Sequence, residues 1–563
     1  MKKSLLLIGL LSQLTHAQVK QQIEFANPLN ISINASGNFG ELRGSHFHTG
    51  IDIKTQQRIG LPVYAPADGY VSRIKVSTWG YGKALYIDHP NGITTVYGHL
   101  NAYAGDIAKL VKDRHYKEQK FEIELFLKKE EIKVKKGDII AFTGNTGGSG
   151  GPHLHYEFRD TKTEHIINPL QMGMDKMLVD TQVPTINTLY VYPVSDDAVA
   201  NKSQQPVLIS LKQQPNGEYA SETVYAQGAI GFGIDIYDTS DFNTNKNGVY
   251  YVQTSVNGKS LFGYKFNEFS FAETGYVNAL IDYSHAMATK QKVQKLFFEK
   301  SYPLTVLTVD NATNGLIAVQ PGQSYNYRIE LKDFHGNTKV VNVPIVYRKE
   351  EATTLRKPTI GTYKIEADRE FIYEKDNIAI SIPSQAFYRN FTMDISSKNN
   401  VLTLHRNTEA VAKNIMIAFN TEGMNLSNPD KTFIARTDGN RKDYLKTYKK
   451  GTKFTAYVKS LGQYQLLTDE TAPEIYSPSF KEGDSLNKQK SISFKVRDVL
   501  SGINTIEGTI NGQWILLDYD YKTQQIVHYF ADGIVTSGKN NVVIKVTDNV
   551  GNENKLETHF FRP

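Results

Sequence analysis

Short β-prone runs alternate along the chain with punctuation by Gly, Pro or Asn. No other feature constrains its fold as strongly. Pro62-Val63-Tyr64-Ala65, Ala84-Leu85-Tyr86-Ile87, Thr94-Thr95-Val96-Tyr97, Ile378-Ala379-Ile380-Ser381-Ile382 and Lys453-Phe454-Thr455-Ala456-Tyr457-Val458 are examples. A period of two sends successive side chains to opposite faces of a strand. The pattern predicts a mainly β protein. At 563 residues, and with about 150 residues to a domain, roughly four units are expected.

Beyond residue 180 the chain repeats itself. Asp180-Thr-Gln-Val-Pro184-Thr-Ile186 is echoed by Asp469-Glu-Thr-Ala-Pro473-Glu-Ile475, and Gly233-Ile-Asp-Ile-Tyr-Asp238 by Ser493-Phe-Lys-Val-Arg-Asp498. Asn257-Gly258 matches Asn511-Gly512, a pair that favours two-residue hairpin turns. Asp333-Phe-His-Gly-Asn337 matches Asp548-Asn-Val-Gly-Asn552. Two copies of one Ig-like β-sandwich are therefore expected, at 180–350 and 470–563, the first with extra residues around 265–315. A β-sandwich of another type is expected at 351–469. The Asp333 and Asp548 motifs read as turn-stabilising Asx arrangements rather than calcium ligands. Residues 18–175 form a separate unit. Within it 105–135 is rich in Lys and Glu, and the alternation of Phe121-Glu-Ile-Glu-Leu-Phe126 predicts an inserted hairpin or extended pair. The charged run 128–136 reads as a solvated face, and His115 as a solvated residue.

Residues 1–17 combine Lys2 and Lys3, the apolar stretch Leu5 to Leu11, and Thr15-His16-Ala17 with small residues at −3 and −1 of a cut after Ala17. That is a secretory signal peptide by pattern. No cysteine occurs, which excludes disulfides, thiolate ligands, a Cys nucleophile and a lipoprotein anchor. No later apolar run approaches the 18 or so residues of a membrane span. An exported protein that is not integral to a membrane is expected: periplasmic, envelope-associated or secreted. The 64 basic and 58 acidic residues are too balanced for nucleic acid to be the main partner.

Seven of the 14 histidines fall between 46 and 155. His48-Thr-Gly-Ile-Asp52 places an imidazole and a carboxylate four residues apart, on one face of an extended segment. His153-Leu-His155 places two imidazoles on one face of a strand. Tyr97-Gly-His99-Leu100 follows an alternating run. Three protein ligands with one open position make a catalytic zinc site. His48, Asp52 and His155 can supply them, leaving His99 and His153 to handle protons. The stretch Gly144-Asn-Thr-Gly-Gly-Ser-Gly-Gly151-Pro152 lacks the Gly-Lys-Ser/Thr ending of a phosphate loop.

Together these elements resemble the LytM/lysostaphin-type zinc metallopeptidases, peptidase family M23. Pro62-Val63-Tyr64-Ala65, Gly69-Tyr-Val71, Gly80-Tyr-Gly82, His89, Lys136-Gly137-Asp138 and Ile167-Asn-Pro-Leu170 extend the resemblance over about 36–172. It implies an antiparallel β-sheet domain with its metal in an open groove. It also implies one Zn²⁺ per chain on His48, Asp52 and His155, with His99 and His153 catalytic. The segment between His99 and Gly137 is longer than a minimal member needs and suits a groove wall, a lid or a partner surface. Asn38 in Ser36-Gly-Asn-Phe-Gly40 stands, by analogy, as an inhibitory fourth ligand.

His46 reads as exposed and His89 as structural. Arg43 reads equally as a partner for a substrate carboxylate or as a framework salt bridge. The leading function is an exported zinc endopeptidase cutting peptidoglycan stem or cross-link peptides, with the C-terminal modules holding an envelope protein or glycan. The alternatives are an exported protease acting on Gly-rich proteins, and a non-catalytic envelope-binding protein that activates another hydrolase. Retained ligands argue against the last.

Overall fold

The computed structural model describes residues 23–563 except 242, 243, 301, 311, 359 and 360. The expected signal peptide at 1–17 lies outside the described residues. The described chain is mainly β with many antiparallel sheets. Among the described residues, no helix is long and apolar enough to cross a membrane.

The first unit is built on strands β1 (Ala35–Gly37), β2 (Ile51–Lys54), β3 (Pro62–Tyr64), β4 (Gly69–Val76), β5 (Lys83–Asp88), β6 (Ile93–Leu100) and β7 (Ala102–Tyr103). Helix α1 (Gly105–Glu118) follows, then β8 (Ile123–Phe126), β9 (Lys133–Val134), β10 (Ile139–Phe142), β11 (His153–Asp160) and β12 (Ile166–Ile167). The main sheet runs β1-β2-β11-β6-β5-β4-β8, and a smaller sheet runs β3-β10-β7. Strand β6 is buried at all eight positions. Tyr97 packs into the main core, while Val96 packs with Ala84 and Tyr86 on the other face. Burial on both faces is why its run is less strictly alternating than those of half-exposed strands.

The insertion departs from expectation. Its first half is α1, not an extended pair. Ile107, Val111 and His115 recur every four residues and form the buried stripe of the helix. Lys109–Asp113 and Arg114–Glu118 pair at i,i+4 on its exposed side. His115, expected in solvent, is buried, and its Nδ1–H donates to the Lys120 carbonyl at 2.8 Å. Only the second half obeys the period of two: β8 pairs with β4, and Ile123 and Leu125 face inward.

The first unit packs closely against the next. β12 pairs with the strand Glu268–Phe269. Phe39, Leu42, Phe47 and Ile166 share one hydrophobic core with Phe266, Phe269 and the strands of 185–347. The extra residues around 265–315 supply this contact. Residues 362–469 form two five-stranded sheets around their own core, and 470–563 form two four-stranded sheets around another. Asn257-Gly258 and Asn511-Gly512 both sit at positive φ in two-residue hairpin turns.

Candidate metal centre

The register of β2 on β11 sets Asp52 directly opposite His155, and β6 flanks His155 with Gly98. A Cβ on Gly98 would stand 3.2 Å from the His155 Cβ, so the glycine makes room for that side chain. His48 arrives from the turn before β2. His48 Nε2, Asp52 Oδ1 and His155 Nδ1 converge: Nε2 to Oδ1 is 3.1 Å, Nδ1 to Oδ1 is 2.9 Å, and the two nitrogens are 3.2 Å apart. All three side chains are buried.

Hydrogen bonds outside this triangle fix which atoms face it. A carbonyl only accepts, so the 2.8 Å contact between His48 Nδ1 and the Asn38 carbonyl places the ring proton on Nδ1. Nε2 is left with its lone pair toward Asp52. His155 has the opposite tautomer. Its Nε2–H donates to Glu157 Oε1 at 2.7 Å, which turns Nδ1 inward. Glu157 also accepts from Thr49 Oγ1 at 2.6 Å, Tyr81 OH at 2.5 Å and Arg159 Nε at 2.8 Å. A carboxylate behind a ligating imidazole orients the ring and raises its basicity. Arg43 donates to the outer oxygen of Asp52, Oδ2, at 2.8 Å and pairs with Glu41 at 3.1 Å. Of its two sequence readings, the structure shows the framework salt bridge.

His99 and His153 stand beside the triangle with ring centroids 4.7 Å apart. His153 Nδ1–H donates to the Gly151 carbonyl and His99 Nδ1–H to the Thr146 carbonyl, both at 2.8 Å. The Nε2 of each is therefore the nitrogen left to take a proton, and that of His153 lies 3.4 Å from Asp52 Oδ1. His99 has φ +59°, a left-handed backbone uncommon outside glycine and found at functional sites. The Gly-rich stretch that anchors both rings lies close to the β4–β5 turn. A Cβ on Gly147 would stand 2.3 Å from Gly82 N.

Charge is crowded here. Burial opposes ionisation of Asp52, yet the surrounding His48, His153 and His155 hold its carboxyl well below the usual range. Burial likewise opposes a charged His155, but hydrogen bonds and attraction from Asp52 and Glu157 raise it to about 9. Burial, with His155 and His153 nearby, pushes His99 down to about 3. A cation held by these donors would replace the proton they otherwise share. Two imidazole nitrogens and one carboxylate oxygen with fixed tautomers fit Zn²⁺.

A model of peptidase family M23 matches residues 46–113 and 103–169, the stretch that holds all five side chains. The chain carries a peptidase family M23 domain. Among curated relatives, the chain is 39% identical over 127 residues to the DD-carboxypeptidase/endopeptidase Mpg of Neisseria meningitidis serogroup B, covering 23% of each chain. It is 33% identical over 100 residues to the peptidoglycan DD-endopeptidase ShyC of Vibrio cholerae, covering 18% of each. The matches thus span about a quarter or less of those relatives' length. Among solved structures, the catalytic domain of the prophage-encoded M23 protein EnpA from Enterococcus faecalis is 26% identical. That match covers 26% of this chain and 95% of that one, at a TM-score of 0.19. Residues 362–469 match a Zu5-like domain.

Three features of the M23 domain escaped the sequence reading. Glu157 continues the face of His153 and His155 at the same spacing of two, and that spacing was the available signal. Asn38 does not turn its side chain to His48, Asp52 and His155; that side chain exchanges hydrogen bonds with the Gly248 backbone at 2.7 and 2.9 Å. The 470–563 module lies against the domain. Tyr521 packs on Trp79 with ring centroids 3.9 Å apart. The Lys522 ammonium donates to the carbonyls of Asn145, Gly147 and Ser149, and Lys83 pairs with Asp518 at 2.6 Å. No sequence signal announces this docking across more than 350 residues.

Proposed function

We propose that this protein is an exported zinc-dependent endopeptidase that hydrolyses peptide bonds of peptidoglycan stem or cross-link peptides. The observation that carries the reading is the convergence of His48 Nε2, Asp52 Oδ1 and His155 Nδ1 with His99 and His153 alongside. Relatives named as peptidoglycan DD-endopeptidases support the substrate, and the pattern of residues 1–17 supports export.

His48, Asp52 and His155 would hold the zinc. Bound there, it supplies Lewis acidity toward a peptide carbonyl and brings the pKa of a water from about 15.7 to about 7. Asn38 and Glu157 keep the two ligand rings in the tautomers that present a lone pair inward. Arg43 occupies the Asp52 oxygen that faces away from the triangle. His99 and His153 accept a proton of the attacking water at Nε2 and return it to the leaving amine, the two halves of general acid–base catalysis. The wall formed by Tyr521 and Lys522 sits over the Gly-rich stretch whose carbonyls orient both rings.

The test is digestion of purified sacculi followed by mass spectrometry of the soluble products. Release of muropeptides with newly exposed peptide ends is the expected outcome. Intact sacculi together with cleavage of a Gly-rich protein would replace the substrate with that alternative.

A further inference from the structure

Two acidic clusters lie far from the metal centre and occupy matching positions in the repeat. Asp180, Asp333 and His335 present donor atoms all within 4.8 Å of one another, and so do Asp469, Asp498 and Asp548. Asp238, the counterpart of Asp498, joins the first cluster, since it lines one cavity with Asp180 and His335. The same turns hold both sets. Asn337 donates through its backbone N–H to Asp333 Oδ1 at 2.8 Å and through its side chain to the Asp180 carbonyl at 3.0 Å. Asn552 does the same to Asp548 Oδ1 at 2.8 Å and the Asp469 carbonyl at 2.8 Å. The Asx turns read from the sequence are present, but they fix the carboxylates without neutralising them. Among the described residues, no Lys or Arg forms an ion pair with any of the six.

Unpaired buried oxygens show that the first cluster is incomplete. Asp238 is 5% exposed and Asn247 7% exposed, and the Oδ1 atom of each has no hydrogen-bond partner. Both residues line one cavity of about 50 Å³ together with Asp180 and His335. Their backbones bond to each other at 2.9 and 2.8 Å, which sets the side chains side by side. A buried oxygen left without a partner is costly, and more so on a carboxylate. In the second cluster the unpartnered oxygen is a hydroxyl beside Asp469. Ser501 is 1% exposed, its Oγ is unpartnered, and its N–H donates to Asp469 Oδ2 at 2.9 Å.

We propose that each cluster binds one Ca²⁺ ion. Asp180, Asp238 and Asp333 with the Asn247 amide oxygen, and Asp469, Asp498 and Asp548 with the Ser501 hydroxyl, offer the hard oxygen donors that calcium takes, whereas magnesium keeps much of its water; the exposed His335 is left out of the set, its Nε2–H donating to the Asp175 carbonyl at 3.3 Å. Each site sits where a module begins. The first lies against the M23 domain, its cavity also lined by Asn38, Ile51 and Asn168. Gly248, next to Asn247, holds the Asn38 side chain, and the Asn38 carbonyl holds His48. The second lies against the 362–469 unit, where Lys431 donates to the Val550 carbonyl at 3.1 Å. The ions lock the junctions through which the modules hold the peptidase.

The test is calcium titration by calorimetry of the zinc-loaded full-length mature chain after removal of free calcium. Two ions per chain are expected, falling to one in Asp238→Asn and to one in Asp498→Asn. Calcium is also expected to raise the wild-type Tm by roughly 5–10 °C near 100-fold saturation, a readout that needs no variant to fold. Asn247→Ala, which leaves the charge intact, should weaken the first site alone. No saturable binding at millimolar Ca²⁺, binding that neither Asp variant reduces, or equal affinity for Mg²⁺ would overturn the proposal.

Discussion

The strands β2, β6 and β11 and the inserted segment 105–135 belong to the same unit, yet they take their structure from different sources. In the strands, neighbours in sequence and across one register build the centre: Asp52 faces His155, and His153, His155 and Glu157 follow at a spacing of two. The inserted segment is completed by a distant part of the chain. Tyr116 donates to Asp532 at 2.6 Å and packs edge-on against Trp514, and Lys112 pairs with Asp532 at 3.4 Å. Chemistry fixed by local spacing survives substitution elsewhere. A surface finished by docking depends on its partner.

That contrast can be broken most sharply at the centre. His155→Ala should remove zinc from the purified protein and lower peptidase activity by at least about 10³-fold, with the fold retained by circular dichroism. Glu157→Gln keeps the size of the side chain but loses the charge behind His155. Zinc affinity should drop by roughly 10–100-fold in a competitive chelator titration, while α1 stays docked. Tyr116→Ala should do the reverse. It removes an aromatic pair and a charged hydrogen bond, weakening the docking of α1 by about 2 kcal/mol. Hydrogen exchange should speed up in α1 and leave zinc content unchanged.

The smallest effect concerns acid. Burial lowers the pKa of His115, with Lys83 adding to the shift and the Lys120 carbonyl, Asp518 and Asp532 opposing it. A histidine whose folded pKa lies below its unfolded value of about 6.5 contributes stability that is full above that value. The contribution is lost as pH falls below it. Protection of α1 should therefore decline below about pH 6.5, and His115→Gln should flatten the decline.

The sequence revealed much of the centre because strand geometry is local. His48 with Asp52 and His153 with His155 were singled out by spacing, His99 by its place after an alternating run, and the set of five by the resemblance to family M23; the structure brings them together. Glu157 was missed although it obeys the same period, because a carboxylate behind a ligand draws attention only once the ring's tautomer is known. The helix was missed because its stripe of Ile107, Val111 and His115 includes a histidine, which reads as polar until its ring nitrogen is seen satisfied by Lys120. The shared core of Phe39 and Phe47 with Phe266 and Phe269 lay beyond the sequence, since nothing in an apolar residue says which distant aromatic will cover it.

The central claim is that His48, Asp52 and His155 form a zinc centre that turns over substrate. Its most direct measurement is metal content of the purified mature protein, paired with muropeptide release before chelation, after chelation and after zinc is restored. One zinc per chain, with release that is abolished by the chelator, recovered with zinc and absent in His155→Ala, is the predicted result. Protein that purifies without zinc and takes up none, or release that persists after zinc is removed, would contradict it.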